Sequence, residues 1–162
     1  MIVRPARAED FEPAVTLYRQ MGGAVTVIDG PEGARRWREI VDHPGTQVFT
    51  LELADSVLAA LATLHVLPNM TFGGRPYALI ENVVTGCKHR GMGYGRLVMQ
   101  AAIDAAWAAD AYKIMLLTGR NRPDGGVAGF YESLGFSSDD KHGMTLRRAP
   151  SRYAPAGGNS PK

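Results

Sequence analysis

A chain of 162 residues is one domain's worth, long enough to bury a core and too short for two comfortable ones. Its 18 basic and 16 acidic residues leave a formal charge of +2, too balanced to argue for nucleic acid or an anionic membrane as a partner. Hydrophobic content of 45%, no apolar run near the roughly 18 residues of a membrane span, and a single Cys87 that cannot form an internal disulfide fit a soluble protein of the reducing cytoplasm.

The opening MIVRPARAED has no charged segment followed by a long apolar stretch, so we expect no secretory leader. Ile2 and Val3 signal a short strand, and Asp10 is placed to cap a helix carrying Phe11, Val15, Leu17, Tyr18 and Met21, stopped by Gly22 and Gly23. A second helix follows, with Pro31 and Glu32 near its start, Trp37, Ile40 and Val41 at helical spacing, and a Pro44-Gly45 stop. TQVFTLEL (46–53) and VLAALATLHVL (57–67) read as strands joined by a tight turn at ADS. After a loop over 68–76, YALIENVVT (77–85) is the clearest strand, apolar on both faces as a central strand would be.

The run from Gly95 to Ala109 is rich in good helix formers, with Leu97, Val98, Ala101, Ala105 and Ala108 tracing one face. YKIMLLT (112–118) is the next strand, GRNRPDGG a loop, and VAGFYESLG a short helix ended by Gly135. FSSDDKHGMTLRR reads as a hairpin, and residues 149–162 as a flexible tail. The expected order is β-α-α-β-β-β-α-β-α-β-β: an α/β chain of the α+β type, with a mixed, mostly antiparallel sheet covered by helices on both faces in a single domain over 1–148.

Chemistry concentrates where the 77–85 strand runs through TGCKHRGMGYG into the long helix. A strand that flows straight into a helix leaves unpaired backbone N–H groups at the helix's positive end, which is an anion site. Gly91, Gly93 and Gly95 let a bulky anion approach without a Cβ in the way. The plain alternative is a tight turn and nothing more. Two phosphate loops are excluded, because no Gly-Lys-Ser/Thr ends the segment and the glycines lack the G-x-G-x-x-G spacing of a dinucleotide fold.

Arg90-Gly91-Met92-Gly93-Tyr94-Gly95 matches the Arg/Gln-x-x-Gly-x-Gly/Ala signature, and IENVVTGCKHRGMGYGRLVMQAAIDAA resembles the acetyl-CoA-binding core of the GNAT superfamily of N-acetyltransferases. A second segment, GFYESLGF (129–136), resembles that family's Phe-Tyr-x-x-x-Gly-Phe motif, in the same order and at a similar separation. The resemblance covers residues 77–148 well, and the N-terminal half by element order alone. LIENVVT and AYKIMLLTG are also similar to segments of the glucosamine-phosphate N-acetyltransferases.

The resemblance implies a splayed sheet with acetyl-CoA as cosubstrate. The backbone of Arg90, Gly91, Met92, Gly93, Tyr94, Gly95 and Arg96 would hold the pyrophosphate, and the main chain of Val83, Val84 and Thr85 the pantetheine arm. Lys88, Arg90 and Arg96 would add charge at the rim, with His89 or Arg120. The family's asparagine seven residues before its tyrosine is Asp124 here, an unfavourable neighbour for phosphates, and Asn121 is the substitute three residues earlier.

For the reaction itself, Glu81 would accept the amine's proton, on the strand face that period two assigns to Val83 and Thr85. Tyr131 would donate to the departing thiolate. A carboxylate that merely bonds backbone or a nearby arginine, and a core aromatic, are the respective alternatives. The oxyanion would be held by a main-chain N–H near Val83 or Val84.

Trp37, Met21, Thr26, Met70, Phe72 and Arg75 fall in the regions that line the acceptor pocket of the family, although packing explains them equally well. His65, His89 and His142 lack metal-site spacing, and Cys87 has no partner that would make it a nucleophile. The reading that results is direct acetyl transfer to the primary amine of a small molecule in a ternary complex, with no metal, no nucleic acid, no membrane, and the homodimer common among relatives. Acetylation of a protein N-terminus or lysine, and a non-catalytic acyl-CoA-binding module, are the alternatives.

Overall fold

The computed structural model describes residues 1–21, 26–119, 127–139 and 143–146. In chain order the elements are β1 (Ile2–Pro5), α1 (Phe11–Tyr18), α2 (Gly30–Val41), β2 (Thr46–Glu52), β3 (Leu58–Leu67), β4 (Tyr77–Thr85), α3 (Tyr94–Ala108), β5 (Ile114–Met115) and α4 (Ala128–Glu132). The strands form one five-stranded sheet in the order β1-β2-β3-β4-β5. β1 to β4 pair antiparallel, and β5 joins β4 in parallel after the α3 crossover. This is the mixed, mostly antiparallel α/β architecture expected from the sequence.

Helices cover both faces. On one, α3 lays Val98, Met99, Ala102, Ile103 and Ala106 onto Ala60, Ala62, Leu64, Ala78 and Ile80. The alanines of β3, poor strand formers by propensity, are fully buried here, because small side chains let a helix approach the sheet closely. On the other face, α1 and α2 bring Ala14, Leu17 and Trp37 onto Val48, Leu61 and Val84. Trp37 satisfies its indole N–H on the Arg7 carbonyl at 2.9 Å and is 3% exposed, so it is a packing residue rather than part of an open pocket.

Three expectations are corrected. The buried stripe of α3 is rotated from the expected one, with Leu97 40% exposed and Ala108 exposed, since in an alanine-rich helix the two larger buried residues, Met99 and Ile103, set the phase. The strand expected over 112–118 pairs only at Ile114 and Met115. The expected final hairpin has no strand among its described residues 136–139 and 143–146, while 140–142 and 147–148 lie outside the described residues. Asn121, Asp124, Arg120 and the 149–162 tail also lie outside them.

The fold is tied at β1 by Arg4, whose guanidinium spans Asp10 at 2.7 and 2.8 Å and Glu52 at 2.6 Å. Asp10 stands at the N-cap position of α1 as expected, but makes no cap hydrogen bond to that helix. Its carboxylate turns back to Arg4 and accepts the Arg7 N–H at 2.7 Å.

Candidate active site

The central irregularity lies within β4. Leu61 of β3 faces Val84 and Thr63 faces Glu81, so the single residue between them, Ala62, stands against two, Asn82 and Val83. This is a β-bulge, and its first residue, Asn82, has φ of 53°. That left-handed conformation is one asparagine tolerates better than most non-glycine residues.

The bulge inserts one residue and so switches which side chains face which way. Before it, Ala78 and Ile80 point into the α3 core, leaving Leu79 and Glu81 on the α1 face. After it, Val83 packs on the α3 core, and Val84 on the α1 core. Glu81 therefore shares a face with Val84 and Thr63, not with Val83 and Thr85 as unbroken alternation would have it.

Pairing between β4 and β5 is limited to Ala78 with Ile114 and Leu79 with Met115. From Ile80 onward the edge of β4 away from β3 has no strand partner among the described residues. Gly86 N–H donates to Ala59 on the β3 side at 2.9 Å, so alternation turns the backbone groups of Val83 and Thr85 to that open edge.

Beyond β4 the chain makes a 3₁₀ turn at Cys87–His89 and enters α3 through Gly93. Gly91 and Gly93 have φ of 76° and 79°, conformations glycine adopts without penalty. Among the described residues, the N–H groups of Arg90 through Gly95 donate to nothing. The N–H of Arg96 is already taken by the Gly93 carbonyl at 3.0 Å, so the expected set of backbone donors ends at Gly95. Gly95 is required for space: a Cβ there would stand 2.9 Å from the Thr85 hydroxyl.

Side chains brace this turn. Arg90 donates to the Thr85 carbonyl and, through Nη2, to the Gln20 carbonyl, each at 3.3 Å. Gln20 Oε1 in turn accepts the Cys87 N–H at 2.7 Å. Arg96 reaches across to α4, donating to Ser133 Oγ at 2.5 Å and its carbonyl at 3.3 Å. Gln20 carries no motif of its own; it lies 67 residues from Cys87, and only the fold brings the end of α1 to the glycine turn.

The open edge, the glycine turn and α4 enclose a cleft of about 940 Å³ whose wall includes Val83, Thr85, Gly91, Gly93, Gly95 and Tyr131, near the upper end of the usual small-molecule range. Val84, Arg90, Tyr94 and Arg96 also line it. Met92 does not, and its side chain is 57% exposed. Tyr131 is braced by Phe130 and Phe136, with ring centroids 5.2 and 6.2 Å away. Burial, and then the negative charge of Glu81, push its phenol above the ordinary tyrosine value, so the hydroxyl keeps its proton at neutral pH. A row of N–H groups at a helix start without an acceptor among the described residues, with glycine at every second position and His89 and Arg90 on the cleft wall, suits a large polyanion. Among the described residues there is no group of His, Cys, Asp and Glu that could hold a metal ion, and no helix long and apolar enough to cross a membrane.

Comparison with known proteins agrees with this architecture. The model of the Acetyltransferase (GNAT) family matches residues 14–136. A presumed acetyltransferase from Agrobacterium tumefaciens str. C58 superposes with a TM-score of 0.83 and 38% identity, covering 91% of this chain and 100% of that one. Glucosamine-6-phosphate N-acetyltransferase from Arabidopsis thaliana superposes with a TM-score of 0.75 at 21% identity, over 91% and 96% of the two chains, a likeness of fold. The glucosamine 6-phosphate N-acetyltransferase of Trypanosoma brucei brucei is 28% identical over 96 residues, which span 59% of this chain and 61% of that relative. With its bulged β4, its open edge and its glycine turn in place, the chain belongs to the GNAT family and is an acyl-CoA-dependent acetyltransferase.

Proposed function

We propose that the chain transfers the acetyl group of acetyl-CoA to the primary amine of a small molecule, by direct attack within a ternary complex. The observation that carries this reading is the bulge at Asn82, which puts Glu81 on the α1 face of the sheet while Tyr131 lines the cleft from α4. An amine arriving from one side and a thiolate leaving on the other would each meet a proton-transfer group.

The energetics require such groups. A lysine-like amine has a pKa of about 10.4, so freeing its lone pair at pH 7 costs about 4 to 5 kcal/mol. Glu81 accepts that proton. The acetyl thioester supplies an activated carbonyl, and the main-chain N–H of Val83, which faces the open edge while that of Val84 faces β3, steadies the developing oxyanion. Tyr131, held protonated, donates to the sulfur as the C–S bond breaks. The N–H groups of Arg90 to Gly95 receive the pyrophosphate, and the open backbone of Val83 and Thr85 pairs the pantetheine arm as a strand would. Asn121 belongs to the same proposal as a further cofactor contact.

The trypanosomal relative's named substrate, an amino-sugar phosphate, supports a small acceptor over a protein. The test is release of the CoA thiol from acetyl-CoA with a panel of glucosamine 6-phosphate, spermidine, and peptides bearing an N-terminal alanine or an internal lysine. Turnover with a small amine is expected. Turnover with peptides alone would reassign the acceptor, and binding of acetyl-CoA without turnover of any amine would contradict the catalytic roles. The homodimer and the cytoplasmic setting belong to this reading too, and the former is checked by light scattering.

A further inference from the structure

Thr63 stands directly opposite Glu81 across the β3–β4 ladder, so both side chains leave the sheet on the α1 face. Thr63 is 3% exposed, and its hydroxyl oxygen has no hydrogen-bond partner among the described residues. A buried hydroxyl left unpaired costs free energy that a valine of the same shape would not. Its surroundings are mostly apolar, with Leu17, Leu61 and Val84 in the same core.

Tyr18 brings a second hydroxyl near Thr63. The phenol of Tyr18, from α1, is pushed above the ordinary tyrosine value by burial, an effect the neighbouring Thr63 hydroxyl partly offsets. The Thr63 oxygen completes no hydrogen bond with any described residue, so its donor and acceptor capacity are both open to a water. Among the described residues, Tyr131 from α4 feels the charge of Glu81, and His65 stands two residues from Thr63 on the same face of β3. His65 is engaged by the Thr46 hydroxyl at 2.9 Å.

We propose that Thr63 is a positioning residue for Glu81: its hydroxyl, with that of Tyr18, holds a water that carries the acceptor's proton to the carboxylate. This rests on Glu81 being the base. Before attack, one N–H bond of the acceptor ammonium breaks, its electron pair stays on nitrogen as the nucleophile's lone pair, and the proton passes to the water oxygen. The water gives one of its own protons to Glu81 and is regenerated, with no change of oxidation state. A small buried hydroxyl is suited to this, because it can donate and accept at one site.

The experiment compares Thr63→Val, Thr63→Ser, Tyr18→Phe and Glu81→Gln in the full chain. The assay uses acetyl-CoA with whichever of glucosamine 6-phosphate, spermidine or an alanine-terminated peptide turns over fastest. Thr63→Val is expected to melt no lower than wild type, to bind CoA equally well, and to lose about tenfold in kcat/KM with its acid limb displaced. Thr63→Ser restores both the rate and the limb, and Tyr18→Phe displaces the limb in the same direction. A wild-type pH profile in both Thr63→Val and Tyr18→Phe overturns the inference while leaving Glu81 as the base if Glu81→Gln is inactive. Full activity in Glu81→Gln overturns both.

Discussion

Replacing Tyr131 by phenylalanine is expected to lower kcat by about 10²-fold, with CoA affinity and melting temperature unchanged. The ring keeps its packing against Phe130 and Phe136, so only the hydroxyl is lost. A thiolate with a free-thiol pKa near 8.5 is a tolerable leaving group in water, but inside a partly buried cleft its charge is disfavoured, and a proton donor matters more. Because burial, and then the charge of Glu81, raise the phenol above the ordinary tyrosine value, the hydroxyl stays protonated through neutral pH. The wild-type alkaline limb should therefore lie beyond the ordinary tyrosine range. Pre-steady-state measurement of thiol release gives kcat for the chemical step, and a phenylalanine variant with wild-type kcat would remove Tyr131 from the mechanism.

Asp10→Ala is expected to cost about 3 to 5 kcal/mol of stability, which for a chain of this size is roughly 10 °C or more in melting temperature. Its carboxylate and the Arg4 guanidinium have side chains only 7% and 11% exposed. Removing the acid leaves the cation buried with Glu52 alone and orphans the Arg7 N–H. Burial pushes the Asp10 carboxyl up, but hydrogen bonds from Arg4 and from the Arg7 backbone outweigh it, so the net shift is below the ordinary aspartate value. The sign follows: this contribution is fully present above the unfolded pKa of about 3.9 and decays as the pH falls through the lower folded value. Thermal melts of wild type should thus lose stability below pH 4 more steeply than melts of Asp10→Ala, and parallel curves would refute the assignment.

Much of this was legible in the residues. The helix of α2 announces itself by Pro31 and by the Trp37, Ile40, Val41 spacing. β4 matches its sequence signal at Tyr77–Thr85, because a strand buried on both faces leaves few polar interruptions. The glycine turn was legible because backbone conformations with positive φ, and a site where a Cβ would collide with Thr85, restrict the choice of residue. The face of Glu81 was not. Period-two counting carries no term for an inserted residue, and the one local sign was Asn82, a polar, weakly β-forming residue amid Val83, Val84 and Ile80. Gln20 and Thr63 were invisible for a different reason: their significance comes from partners 67 and 18 residues away, which only the tertiary fold supplies. The short pairing of β5 is likewise a property of two strands diverging, not of either sequence.

We propose that the bare turn into α3 grips the diphosphate of coenzyme A. This is tested most directly by titration calorimetry of CoA into wild type and Gly93→Val. Gly93 has φ of 79°, where a β-branched residue costs about 1 to 3 kcal/mol, so the variant folds but swings its N–H groups out of register. One CoA per chain is expected for wild type, and an affinity at least about tenfold weaker for the variant, the equivalent of one to two lost charge-assisted hydrogen bonds. Equal affinity in the two proteins, with the variant folded, would contradict it.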